Sequence, residues 1–160
     1  MTSTFRGYAA SAPGGDLALI HLAPGPLKPH EVEVRVAYCG VCHSDLSVID
    51  NEWHSTQYPV VAGHEIIGPI TALGSEARGL TLGQWVGIGW TADNCQHCTP
   101  CISGKQHLCA QSQATIIGHS GGFLGKGSRS LRGGIPPPPG IGPPRGGAVM
   151  ACQGIGERRV

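Results

Sequence analysis

No apolar stretch in this 160-residue chain approaches the roughly 20 residues that a membrane-spanning helix needs, which argues against an embedded protein or a membrane partner. The opening segment, Met1 to Gly15, lacks the charged-then-apolar layout of a secretory leader. An even cysteine count is missing too. Seven cysteines in a chain without a leader fit a reducing compartment and metal thiolates better than a disulfide framework, so we expect a cytoplasmic protein. A nucleic-acid surface is also lacking: residues 1–117 are acidic, with five Lys/Arg against nine Asp/Glu, while the six basic residues of 118–160 are scattered among Gly and Pro without aromatics. No internal repeat is visible.

What is present divides unevenly. Up to residue 122 the sequence reads as β-rich. Leu17 to Leu22 is apolar with one His, and Glu31 to Val36 alternates strictly, as a strand wet on one face would. Glu65 to Leu73 and Gln84 to Ile88 are further strand candidates, set apart by Gly74, Gly79 and Gly83. A short helix is expected after Cys42, with Ser44 and Asp45 as caps and Leu46, Val48 and Ile49 on its apolar faces. Many short strands between turns suggest a barrel or sandwich. At Phe123 the character changes: residues 123–160 hold ten Gly and six Pro, including the run Pro136 to Pro139. With so little apolar surface, this stretch is expected to be a disordered tail.

The clearest chemical signal is Cys95-x2-Cys98-x2-Cys101-x7-Cys109. Thiolates crowded among loop formers such as Asp93, Asn94, Gln96, Pro100 and Gly104 are what a tetrahedral metal with four sulfur ligands requires. The simplest reading is structural zinc; an iron–sulfur cluster is the rival, since Cys-x2-Cys-x2-Cys also opens cluster motifs. His97 and His107 lie inside this lobe, but four sulfurs already fill a tetrahedron. A second constellation is Cys42-His43-Ser44-Asp45 followed by Gly63-His64-Glu65. A catalytic zinc needs three protein ligands and an exchangeable position. Cys42 and His64 suit two of those places, and Asp45 suits the acceptor that orients a metal-bound imidazole. On spacing alone, a buried cysteine and a satisfied core or surface histidine are the readier explanation of these residues. Cys39 closes a strand and reads as a core thiol.

Taken together, GVCHSDL (40–46), PVVAGHEIIGPITALGS (59–75), LGQWVGIGW (82–90) and CQHCTPCISGKQHLC (95–109) resemble the N-terminal half of zinc-dependent medium-chain alcohol dehydrogenases, in particular the cinnamyl-alcohol-dehydrogenase-like branch. The resemblance implies a mainly β, GroES-like, partly open barrel with a zinc lobe over residues 1–122. It implies a structural zinc on Cys95, Cys98, Cys101 and Cys109, and a catalytic zinc on Cys42 and His64 with Glu65 as an alternative ligand. It further implies that Ser44 relays the alcohol proton, that His43 contacts the cofactor diphosphate, and that Trp53 and Trp90 line a pocket for a small alcohol or aldehyde. The cofactor would be NADP or NAD, and a homodimer is a candidate assembly.

The pattern is incomplete. The family's third catalytic-zinc ligand is a downstream cysteine, and the surroundings of Cys152 do not match it. Gly140-Ile141-Gly142 and Gly154-Ile155-Gly156 both fail at the third glycine of a dinucleotide fingerprint. A full cofactor domain does not fit in the remaining length. We therefore expect an incomplete catalytic domain over 1–122 and a truncated or out-of-frame tail over 123–160, together binding zinc but inactive alone. A non-catalytic zinc-binding interaction module, with the basic tail as adaptor, is the alternative.

Overall fold

The structure is a computed structural model and describes residues 4–23, 25–124 and the backbone of 128–130. It is mainly β. Two strands, β1 (Phe5–Ala9) and β2 (Ala18–Leu22), form an antiparallel hairpin. A larger sheet is built on β5 (Glu65–Leu73), which pairs with β3 (Val32–Val34), β4 (Tyr38–Gly40) and β6 (Trp85–Ile88). Strand β7 (Thr91–Asp93) pairs with β8 (Gln113–Ala114), and β9 (Ser128–Ser130) lies against β3. One short helix, α1 (His43–Ile49), follows β4; a single turn, α2 (Thr99–Ile102), sits between β7 and β8. No sheet closes into a barrel among the described residues, in keeping with the partly open form expected. No described helix is long and apolar enough to cross a membrane.

Strand β5 organises the fold. Its residues 66–70 are all buried; strands β3, β4 and β6 flank it. The centre is the cluster of Val32, Val34, Ile66, Ile70, Val86 and Ile88, each at most 2% exposed. Each such aliphatic side chain contributes about 1.5–3 kcal/mol by leaving water. Gly68 is required here: a Cβ would lie 1.9 Å from the Arg35 carbonyl oxygen, where the chain crosses between β3 and β4.

The alternating segment 31–36 is a regular strand only over Val32–Val34, with a bulge against β5 between Glu33 and Val34, although the Arg35 N–H still donates to the Pro69 carbonyl at 3.0 Å. Glu31, expected on a wet face, is 5% exposed; its carboxylate accepts the Lys28 backbone N–H at 2.8 Å. The cap of α1 also differs. Cys42 is its N-cap residue, and Asp45, not Ser44, closes the turn by accepting the Cys42 N–H. Val48 and Ile49 are buried, but Leu46 is exposed.

Packing continues past residue 122. Leu124 is 1% exposed and joins Phe5, Ala9 and Val61 in a second cluster, against which Phe123 also packs. The core thus extends two residues beyond the boundary drawn from composition, because Phe123 and Leu124 are apolar although Gly surrounds them. The expected tail from 131 onward, Cys152 included, lies outside the described residues.

Candidate metal centres

The lobe begins and ends at a neck, β7 paired with β8. Between them the chain makes a tight series of turns. Cys98 caps α2, Pro100 occupies its first turn, and Gly104 (φ 77°) reverses the backbone into a 3₁₀ turn at Gln106–Leu108. These turns turn all four cysteine sulfurs inward, within 4.8 Å of one another. Cys95 Sγ lies 3.9 Å from Cys101 Sγ and 3.6 Å from Cys109 Sγ. For zinc–sulfur bonds of about 2.3 Å, tetrahedral apices are about 3.8 Å apart. The cysteines are free thiols, and their spacing suits one ion rather than a cluster that would wedge its own atoms between them. The helix turn within the lobe was not expected from its loop-forming residues; Pro100 at the start of α2 nucleates it.

Electrostatics point the same way. Backbone N–H groups, first that of His97 and then that of Cys98, hold Cys95 down to about 6 against the effect of burial. Burial and the neighbouring Cys98 and Cys109 sulfurs push Cys101 up to about 12. Four sulfurs this close cannot all ionise beside one another, and a cation at their centre removes that conflict. His97 and His107 are exposed, and His97 Nδ1 donates to the Cys95 carbonyl at 2.7 Å, so neither points inward as a ligand.

The second centre is assembled by tertiary structure. Pairing of Gly40 with Glu65 ends the β4–β5 ladder, so the segments leaving it, 41–43 and 63–64, run side by side. Cys42, His64 and Glu65 thereby present Sγ, a ring nitrogen and a carboxylate oxygen within 4.8 Å. Cys42 Sγ is 3.5 Å from His64 Nε2. A sulfur and a nitrogen on one tetrahedral zinc would stand about 3.6 Å apart, from bond lengths of about 2.3 and 2.0–2.1 Å.

Asp45 holds this arrangement. It is 1% exposed. Its Oδ1 accepts the His64 Nδ1–H at 3.0 Å and the Gly63 N–H at 2.8 Å; its Oδ2 accepts the Cys42 N–H at 3.0 Å. Burial alone would raise this carboxyl, but the His64 hydrogen bond and the two backbone N–H groups outweigh it and hold it below its ordinary value. A charged Asp45 selects the tautomer with hydrogen on Nδ1, which leaves the Nε2 lone pair facing Cys42.

Around the cluster, Trp90 packs edge-to-face on His64 at 5.2 Å, and Trp53 does the same on Trp90 at 5.6 Å. Trp53 is about half exposed, Ser44 is half-buried and His43 is exposed. Cys39 stays apart: it packs against the apolar core, and burial, then the Asp45 charge, push its thiol up to about 12. Two contributors had no role assigned from the sequence. Gly63 donates to Asp45 with φ at +95°, where a Cβ would lie 2.8 Å from Cys39 Sγ and from Phe123; its place beside His64 in GHE was the available signal. Buried Thr115 holds the backbone at Gly89 and Trp90, and nothing in its local sequence marks it.

Comparison with known proteins adds ancestry to this geometry. The family model described as "Alcohol dehydrogenase GroES-like domain" matches residues 28–129. Aldehyde reductase AdhA of Synechocystis sp. is 47% identical over 118 residues, covering 74% of this chain and 35% of the relative. Among solved structures, a cinnamyl alcohol dehydrogenase from Sorghum bicolor superposes with a TM-score of 0.83 at 28% identity, covering 92% of this chain and 44% of that one. CAD from Helicobacter pylori, complexed with NADP(H), gives 0.73 at 25% identity, covering 81% and 40%. The chain thus spans about a third of the length of the curated relative.

Proposed function

The chain belongs to the alcohol dehydrogenase GroES-like domain family, and from that premise we propose that it is the zinc-binding catalytic domain of an NADP(H)- or NAD(H)-linked oxidoreductase acting on alcohols and aldehydes. The observation that carries this reading is the Cys42–His64–Glu65 cluster, with His64 held by a buried carboxylate. Similarity to an aldehyde reductase and to an NADP(H) complex supports the substrate class and the cofactor.

Cys42, His64 and Glu65 would hold a zinc ion, which would supply Lewis acidity toward an alcohol or aldehyde oxygen, and a bound nicotinamide would supply the hydride chemistry. The chain's own residues do the rest. Asp45 fixes the His64 tautomer and anchors the Cys42 and Gly63 backbones, so the ligand atoms are in place before anything binds. Ser44, two residues beyond Cys42, offers a hydroxyl through which the alcohol proton passes toward solvent. His43, exposed beside it, faces outward to meet the cofactor diphosphate. Trp53 and Trp90 wall the site and exclude water from one side. The lobe cysteines Cys95, Cys98, Cys101 and Cys109 would hold a second, structural zinc. The described residues carry no Gly-x-Gly-x-x-Gly loop, so in this reading most of the cofactor-binding surface, His43 apart, lies outside them, and residues 4–124 alone bind zinc without turnover.

Cobalt(II) substitution tests the proposal. We expect two cobalt ions per chain, and a shift of the visible band from one of them when an alcohol or aldehyde is added. His64→Asn should abolish that response and leave the lobe ion in place. Uptake of a single ion, with a spectrum indifferent to alcohol, defeats the reading.

A further inference from the structure

Trp90 stands where the two centres meet. It immediately precedes β7, the entering strand of the lobe's neck. Its ring lies 5.2 Å from the His64 imidazole, with the planes at 83°. Its backbone is gripped from the leaving side of the same neck. Thr115, directly after β8 and 0% exposed, donates its N–H to the Trp90 carbonyl at 2.8 Å and its hydroxyl to the Gly89 carbonyl at 2.6 Å. Two bonds on successive carbonyls leave the peptide carrying Trp90 little freedom to rotate.

The imidazole of His64 needs such a support. Its contacts with Asp45 and Cys42 act at the two ring nitrogens, in the plane of the ring. The perpendicular Trp90 ring packed on the imidazole adds a contact away from those nitrogens, of the kind worth about 0.5–1.5 kcal/mol, and so a further constraint on tilt. A tilt would swing the Nε2 lone pair away from Cys42 and Glu65. We propose that Trp90, clamped by Thr115 at the neck of the four-cysteine lobe, is a positioning residue that sets the tilt of the His64 ring. The inference rests on the reading of Cys42, His64 and Glu65 as a metal centre. It gives the lobe a task beyond its own stability: the neck that the lobe closes also fixes a ligand of the other centre.

The test uses the full chain loaded with cobalt(II), comparing Trp90→Leu, Trp90→Phe and Thr115→Val. The lobe ion serves as an internal control for folding. Trp90→Leu should weaken cobalt at the Cys42/His64 centre about three- to tenfold and shift its visible band, with the lobe ion retained. Trp90→Phe, which keeps an aromatic ring, should stay within about twofold with the band unmoved. Thr115→Val keeps the backbone bond but loses the hydroxyl donor, and should fall between the two. Wild-type affinity and band position in Trp90→Leu would overturn the inference alone. If Trp90→Leu loses the lobe ion as well, Thr115→Val decides: an unmoved band and affinity there overturn it. A wild-type chain that takes up one ion only overturns the functional reading, and this inference with it.

Discussion

The two centres reach similar ligand spacing by opposite routes. In the lobe, all four sulfurs come from one stretch, 95–109, arranged by local turns around almost no core; Ile102 and Leu108 are largely exposed. At the other centre, Cys42 and His64 are brought together by a β-ladder, buried apolar packing and one carboxylate that satisfies three donors. On the proposed reading, the lobe would depend on its ion for its shape, whereas the Cys42/His64 centre would be shaped by the protein before an ion binds.

That contrast can be broken, or sharpened, in four ways. The largest effect belongs to Cys101→Ser, which should lower metal affinity in the lobe by at least about a hundredfold and open residues 94–112 to hydrogen exchange, while β3, β5 and β6 stay protected. Equal loss of protection throughout would show that the two regions do not fold independently. Asp45→Ala comes next. It strands the Cys42 and Gly63 N–H groups and the His64 ring proton, so the urea midpoint should fall by about 3 kcal/mol equivalent with the lobe ion still bound. An unchanged midpoint would mean that the ion, not Asp45, shapes this centre.

Gly63→Ala should cost about 2 kcal/mol in the same titration, since the backbone is left-handed there and the new methyl meets Cys39 and Phe123. A neutral result would mean that the loop bearing His64 can shift. The smallest effect concerns Cys39. Its thiol is raised to about 12, above the ordinary value of about 8.5. The associated stability is fully present below the ordinary value and is lost as pH rises toward about 12. Near neutral pH, iodoacetamide should label Cys39 at least about a hundredfold more slowly in folded than in urea-unfolded protein. Comparable rates would place Cys39 outside the core.

How much of this could be read from the sequence follows the same division. The lobe was legible because its ligands are local: four cysteines a few residues apart need no knowledge of the fold. Strand β5 and the hairpin strand β2 were legible because their apolar runs are bounded by turn residues. Spacing could not link Cys42 with His64, since it is the pairing of Gly40 with Glu65 that makes them neighbours; family resemblance supplied the link. Helix α1 and the capping role of Asp45 were legible; that Cys42 is the N-cap residue was not, because a cysteine is unusual there. Burial of Glu31, the grip of Thr115 on Trp90 and the burial of Leu124 all depend on distant segments, and no local pattern announces them.

The seating of Leu124 bears on how the polypeptide is made. Tyr8 N–H bonds the Phe123 carbonyl at 3.1 Å, and Gly7 bridges to Leu124. During synthesis, the hairpin must wait for residues up to 124 to be translated before its apolar side is fully covered. Until Leu124 is made, Phe5 and Ala9 lack part of their apolar cover.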